Sequence, residues 1–265
     1  MMKSTGSLVT DPSNQYRFAL VGDPVEQSLS PTIQTAALAM AGLEGRYIAI
    51  RCDRAGFGRM VQRLRDGDLN GMNVTMPLKR LAFEMSDRAT PQAGRAGSAN
   101  TLRMGDGLVE AHSTDVEAFE QIYTDIGYPG PLLVLGGGGS AGAAVAAWPG
   151  SEVSVSVRGR VRSERLADID KTPWGAPVPG AVLVNATPLG MQGESIPLEV
   201  LQTCSYLIDL PYGISETPAS RMARVLGIPL SDGIEFLALQ AAHSVRWWTG
   251  RAVDSVALTR FARNV

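Results

Sequence analysis

Between Leu132 and Val157 the chain leaves little choice of fold. An unbroken apolar run, Leu132-Leu133-Val134-Leu135, opens onto Gly136-Gly137-Gly138-Gly139-Ser140-Ala141-Gly142. A stretch of small residues follows, stops at Pro149-Gly150, and gives way to a second strand-like run, Glu152–Val157. A strand, a glycine loop, a helix and a second strand form a βαβ unit, which requires a parallel sheet. The glycines let a pyrophosphate approach backbone N–H groups at a helix N-terminus, where the helix dipole favours negative charge. Gly136, Gly138, Gly139, Ser140 and Ala141 are therefore candidate contacts for a dinucleotide.

The end of the second strand selects among dinucleotides. An acidic residue there would take a ribose 2′-hydroxyl, but the chain reads Val157-Arg158-Gly159-Arg160-Val161-Arg162. Arg158 and Arg162 suit a 2′-phosphate through charge-assisted, bidentate hydrogen bonds, so the cofactor expected is NADP. The same loop also spells a competing pattern. Gly138-Gly139-Ser140-Ala141-Gly142 is a G-x-S-x-G in the strand–turn–helix setting of a nucleophile elbow. Asp209 or Asp232, followed by His243, would complete a serine hydrolase order. That reading lacks an HGGG-type oxyanion loop and gives the arginines and the N-terminal half no role.

Strand-like and helix-like stretches alternate through the rest of the chain, which predicts an α/β protein with mainly parallel sheets. Strands are expected at Tyr16–Val21, Tyr47–Cys52 and Gly71–Thr75, with helices at about 31–41, 57–65 and 77–85. Gly105-Asp106-Gly107 between two apolar runs signals a hairpin. A helix is expected from Asp115 to about Ile126, with a break at Tyr128-Pro129-Gly130-Pro131 before the glycine unit. Ala181–Asn185 and Tyr206–Leu210 read as further strands, and Gly233–Thr249 and 253–263 as helices. Residues Met1 to about Gln15 read as a loose tail. Trp247 and Trp248 are expected to be packing anchors.

The 265 residues suffice for two modest domains, with 45% apolar and 19% charged residues. A formal charge of −2 gives no broad basic face for nucleic acid. No apolar run approaches the roughly 20 residues needed to cross a bilayer, and the N-terminus lacks a signal-peptide core. Cys52 and Cys204 read as reduced thiols of a cytoplasmic protein. His112 and His243 stand in no metal-ligand spacing, so no metal site is expected.

In the N-terminal half, Gly71-Met72-Asn73-Val74-Thr75-Met76-Pro77-Leu78-Lys79 reads as a strand end opening onto a helix, with Pro77 in the first helical turn. Asn73 and Thr75 can hydrogen-bond a hydroxylated ligand, and Lys79 brings a charge or a proton.

Taken in order, these motifs resemble those of the shikimate dehydrogenase family from Tyr16 to Gly250. Gly22-Asp23-Pro24-Val25-Glu26-Gln27-Ser28-Leu29-Ser30-Pro31 is similar to the family's opening motif, and Asn73–Lys79 to its N-V-T-x-P-x-K. Ala99-Asn100-Thr101, Ser113-Thr114-Asp115 and Asn185-Ala186-Thr187-Pro188-Leu189-Gly190-Met191 match in turn. Tyr212, Thr217-Pro218 and Gln240 fall at further family positions. The cofactor half departs from the pattern, since Val157 and Gly159 stand where the family has Asn and Thr, and Gly213-Ile214 replaces Asn-Pro.

The resemblance implies an N-terminal α/β substrate domain, a Rossmann-type NADP-binding domain, and C-terminal helices returning to the first. In residues, that is 1–112 completed by 236–265, and 113–235. It implies Ser28 and Ser30 as carboxylate ligands. Asn73, Thr75, Asn100, Tyr212 and Gln240 become the other substrate contacts, and Lys79 with Asp115 the catalytic pair. Asn185, Thr187 and Gly233 join Arg158, Arg162 and the glycine loop on the cofactor side. The expected reaction is reversible reduction of 3-dehydroshikimate to shikimate with NADP, by a cytoplasmic enzyme of aromatic amino-acid biosynthesis through chorismate. The expected partner is the small-molecule substrate alone, with no nucleic acid or membrane, in a monomer or homodimer. A paralogue acting on quinate or aminoshikimate, and a non-catalytic sensor of such ligands, are the alternatives.

Overall fold

The computed structural model describes residues 15–127, 130–213 and 215–265. The tail up to Asn14, Tyr128-Pro129 of the expected chain break, and Ile214 lie outside the described residues. The described residues divide into two compact units. One holds residues up to 94, 98–114 and 241–265, and the other holds 95–97 and 115–240.

The first unit is built on β1 (Tyr16–Gly22), α1 (Ser30–Met40), β2 (Gly45–Arg51), α2 (Phe57–Arg65), β3 (Gly71–Val74) and α3 (Lys79–Glu84). β4 (Arg88–Ala89), α4 (Pro91–Ala96), β5 (Thr101–Gly105) and β6 (Leu108–His112) follow. Its sheet runs β2-β1-β3-β5-β6-β4, with β1 parallel to β2 and β3. α2 buries Phe57, Met60, Val61 and Leu64, one stripe of an amphipathic helix. β5 and β6 pair antiparallel around a tight turn in which Asp106 (φ 51°) and Gly107 (φ 78°) are both left-handed. Few residues other than Gly, Asn and Asp tolerate that conformation, which is why Gly105-Asp106-Gly107 is legible as a hairpin.

One local expectation fails in this unit. Pro77 does not lie in a helical turn, because α3 begins at Lys79. The Leu78 N–H donates to the Thr75 carbonyl at 2.9 Å, closing a turn that contains Pro77 after a cis Met76–Pro77 bond. Lys79 is consequently the first residue of the helix.

The second unit begins with α5 (Thr114–Ile126) from Asp115 onward, followed by β7 (Leu132–Leu135), α6 (Gly139–Ala147) and β8 (Val153–Ser156). After a 3₁₀ turn at Glu164–Leu166 come β9 (Asp170–Thr172), β10 (Val182–Asn185), α7 (Leu198–Thr203) and β11 (Tyr206–Asp209). α8 (Pro218–Val225), β12 (Leu230–Asp232) and α9 (Gly233–Thr249) close it, the part of α9 from Ala241 onward and all of α10 (Ser255–Ala262) being counted with the first unit. The sheet order is β12-β11-β10-β7-β8-β9, parallel throughout. Counted from β7 this is the 3-2-1-4-5-6 order of dinucleotide-binding sheets. β7 is wholly buried, as expected of a central parallel strand covered on both faces. The small residues of α6, Ala141 to Ala147, are buried against it. Larger side chains there would hold the helix away from the sheet.

Trp248 stacks on Phe18 with ring centroids 4.3 Å apart and donates to the Leu102 carbonyl. Trp247 stacks on His112, whose Nδ1 pairs with Thr90 Oγ1. Both tryptophans and His112 are thus packing residues. Cys52 and Cys204 are free and buried, and burial pushes the Cys204 thiol up to about 11. Among the described residues no helix is long and apolar enough to cross a membrane.

Candidate active site

In the first unit the candidate residues leave adjacent strand ends. Beyond β1 the Asp23 N–H donates to the Met76 carbonyl at 2.9 Å, tying the loop that leads to Ser28 and Ser30 to the turn that leads to Lys79. The Thr75 N–H donates to the Val21 carbonyl at 2.9 Å, fixing Thr75 against the end of β1. Ser28 Oγ accepts the Ser30 N–H at 3.2 Å just before α1, where the helix dipole favours an anion. Ser30 is buried, while Ser28, Thr75 and Lys79 are half-buried.

β3 also carries a polar network that the sequence does not announce. Asn73 is buried on β3, and its Oδ1 accepts from Tyr47 Oη (2.8 Å) and Gln34 Nε2 (3.0 Å). Its Nδ2 donates to Thr101 Oγ1 (3.0 Å), Ser244 Oγ (3.0 Å) and the Asn100 carbonyl (3.2 Å). A direct ligand contact from Asn73, as expected from the sequence, would displace one of these bonds. In this arrangement Asn73 ties β3 to the side chains of Gln34, Tyr47, Thr101 and Ser244. Asn100 is also fixed: its Nδ2 donates to Thr114 Oγ1 (2.9 Å) and its Oδ1 accepts the Thr114 N–H (2.8 Å). Ser244 lies one helical turn beyond Gln240, a spacing that could have revealed it.

In the second unit, Asp115 is buried in the first turn of α5, where a carboxylate complements the helix dipole. Tyr212, just past β11, and Gln240, on α9, are half-buried. At the point where the strand order reverses, the Gly136 N–H donates to the Ser156 carbonyl (3.0 Å) and the Ala186 N–H to the Leu135 carbonyl (2.9 Å). The glycine loop and the Asn185–Thr187 loop therefore diverge from one crevice, the place where open α/β sheets bind ligands. Gly136 has φ 124°, and an added Cβ would stand 2.7 Å from the Ala186 carbonyl oxygen. Gly233 at the start of α9 is equally constrained, since a Cβ there would meet the Leu210 carbonyl oxygen at 2.4 Å.

These surroundings fit a pyrophosphate. An added Cβ at Gly138, the uncapped residue before α6, would meet nothing within 4 Å, so space adjoins the helix N-terminus. The arginine loop folds onto the same place, because the Arg162 and Ser163 N–H groups both donate to the Gly137 carbonyl, at 2.7 and 3.1 Å. Arg158, Arg160 and Arg162 are exposed beside it.

A buried carboxylate organises the loop after β10. Asp209 accepts hydrogen bonds from Asn185 Nδ2 (2.8 Å), Ser220 Oγ (2.8 Å) and Thr217 Oγ1. Asn185 in turn accepts from Thr187 and donates to the Leu189 carbonyl, shaping the Asn185–Leu189 turn. These partners make Asp209 the centre of the strand-end network. Burial pushes its pKa above the usual carboxylate value, against the pull of the three hydrogen bonds. The folded state thus holds this proton more tightly than the unfolded state. The stability this contributes is complete below the unfolded pKa of about 3.9 and is lost as pH rises through the folded value. Asp209→Asn turns an amide N–H₂ toward Asn185 or the two hydroxyls and should cost about 1–3 kcal/mol near pH 4. Urea unfolding should show the gap between the unmodified protein and this variant narrowing toward neutral pH, and a gap that widens would contradict the assignment.

The parallel sheet, the glycine loop at its switch point and the arginine loop upon it define a two-unit α/β protein with a dinucleotide-binding half. A shikimate dehydrogenase (NADP(+)) of Thermus thermophilus is 35% identical over 258 residues, which span 93% of this chain and 97% of that one. The chain belongs to the shikimate dehydrogenase family. Residues 20–102 match the shikimate dehydrogenase substrate binding domain. The shikimate dehydrogenase (NADP(+)) of Aeropyrum pernix is 34% identical, over 93% of this chain and 96% of its own. A Thermus thermophilus shikimate 5-dehydrogenase solved in complex with NADP(H) and shikimate has a TM-score of 0.84 at 32% identity, covering 94% of this chain and 99% of that one.

Proposed function

We propose that this chain is an NADP-dependent shikimate dehydrogenase that reversibly reduces 3-dehydroshikimate to shikimate. The observation that carries the reading is its kinship, over nearly its whole length, with enzymes named for that activity. The reading assigns the enzyme to aromatic amino-acid biosynthesis through chorismate, in the cytoplasm, as a monomer or homodimer.

Bound NADP(H) supplies or accepts the hydride. The chain handles everything else. Ser28 and Ser30 receive the substrate carboxylate at the α1 N-terminus, and Thr75, Asn100, Tyr212 and Gln240 receive ring hydroxyls. As the ketone is reduced its oxygen gains negative charge, and Lys79 stabilises it and delivers a proton to it. Asp115 orients the ammonium and shares in the relay. Asn185, Thr187 and Gly233 line the nicotinamide side, the glycine loop with Ser140 and Ala141 cradles the pyrophosphate, and Arg158 and Arg162 take the 2′-phosphate.

The assay is NADPH formation from NADP⁺ with shikimate, quinate or aminoshikimate. Shikimate is expected to give the highest kcat/KM. Saturable shikimate binding without turnover of any of the three would overturn the reading in favour of a sensor. Within that assay, Ser28→Ala should raise the shikimate KM about tenfold or more, since a hydrogen bond to a charged acceptor contributes roughly 1.5–3 kcal/mol. Unchanged KM values for both Ser28→Ala and Ser30→Ala would remove the carboxylate assignment.

A further inference from the structure

β8 and β9 pair in parallel with Ser156 opposite Thr172, and Ser156 Oγ donates to the Pro173 carbonyl at 3.1 Å. Two residues beyond each register partner stand Arg158 and Trp174, so the pairing delivers them side by side at the carboxyl edge of the sheet. The Arg158 guanidinium carbon lies over the Trp174 ring, 5.2 Å from its centroid. Trp174 is half-buried and packs against the core formed by Leu133, Leu183 and Leu207. The Ala176 N–H donates to the Pro173 carbonyl at 3.0 Å, closing the turn that carries the ring. The ring is thus fixed from beneath, while the arginine it supports is exposed. A free arginine side chain has many rotamers, and ordering it is a cost of binding unless something orders it beforehand.

We propose that Trp174 is a positioning residue for the 2′-phosphate, an aromatic shelf that pre-orders the Arg158 guanidinium and so sets the choice of NADP over NAD. The inference rests on the NADP reading above and adds to it a residue outside the arginine loop. A guanidinium above an aromatic face is held by the ring quadrupole while its N–H groups remain free to meet an anion. NAD lacks the phosphate and gains nothing from the shelf.

Calorimetric titration of the full chain with NADP⁺ and with NAD⁺, without substrate, tests this. Trp174→Leu keeps apolar packing and removes the ring face. It should weaken NADP⁺ binding on the order of tenfold and leave NAD⁺ within about twofold. Trp174→Phe should restore most of the preference, and Trp174→Leu should cost little in an Arg158→Ala background, because the two act as a unit. Equal losses for both dinucleotides, or strictly additive losses in the double variant, would overturn the proposal and leave Trp174 a core residue. If Trp174→Leu fails to fold, the same decision falls to Trp174→Phe and Arg158→Ala, because a Trp174→Phe variant no better at NADP⁺ than Arg158→Ala also overturns it. Failure of the unmodified protein to prefer NADP⁺ would instead count against the cofactor reading itself.

Discussion

Lys79→Ala is expected to lower kcat by about 10²–10⁴-fold, the range a positioned proton donor contributes, with a much smaller change in the shikimate KM. The lysine is needed chiefly as charge develops on the ketone oxygen, so its loss should fall on the transition state more than on the ground state. The start of α3 at Lys79 matters here: the Thr75–Leu78 turn delivers the side chain from the first helical residue, and the Lys79 carbonyl is anchored by the Ala99 N–H at 2.9 Å. The backbone at this position should therefore survive the substitution. Asp115→Asn should act in the same direction, and the double variant should be little worse than the poorer single one. Steady-state kinetics with shikimate and NADP⁺ checks this. Strictly additive losses would mean that the two side chains do not work together.

Asn73→Leu should destabilise the protein on the order of 3–5 kcal/mol, a large value for one substitution. Leucine matches asparagine in branching but makes none of its hydrogen bonds. The change removes the bonds that Tyr47, Gln34, Thr101, Ser244 and the Asn100 carbonyl make to a buried amide. Each buried polar group deprived of a partner costs about 1–3 kcal/mol, partly recovered where hydroxyls re-pair with each other. Thr101, Thr114 and Ser244 lie within hydrogen-bonding reach of one another, which is why the loss is not five full penalties. Urea unfolding gives the number, and a loss below about 1 kcal/mol would show that the network does not hold these elements together.

What is legible in advance is whatever the chain encodes locally. Hydrophobic runs and glycine chemistry mark β7, α6, β8 and the Gly105-Asp106-Gly107 turn, because their patterns act over a few residues. β9 escapes notice because Asp170-Lys171-Thr172 is a polar edge strand whose existence depends on pairing with β8. With β9 unread, the pairing of Arg158 and Trp174 is unreadable too. α8 has a local signal, since Thr217 caps it through the Ser220 N–H and Pro218 opens it, but those two residues stand out in the sequence only as part of a family pattern. The chemistry at the site is legible as residue types, Ser28, Ser30, Lys79, Asp115 and the arginines. The support is not, because Asn73 meets partners from α1, β2, β5 and α9, and no spacing in the sequence reveals such convergence. Asp209 is a similar case, a strand-end carboxylate whose partners come from the start of α8 and from a neighbouring strand.

The most direct measurement of the central claim is isotope transfer. The enzyme is incubated with 3-dehydroshikimate and NADPH carrying deuterium at the transferable position, and the product is examined by NMR. Shikimate with deuterium on the ring carbon that held the ketone is expected, formed by the unmodified protein and at least about a hundredfold more slowly by Lys79→Ala. Recovery of unlabelled substrate under conditions where both ligands bind would contradict it.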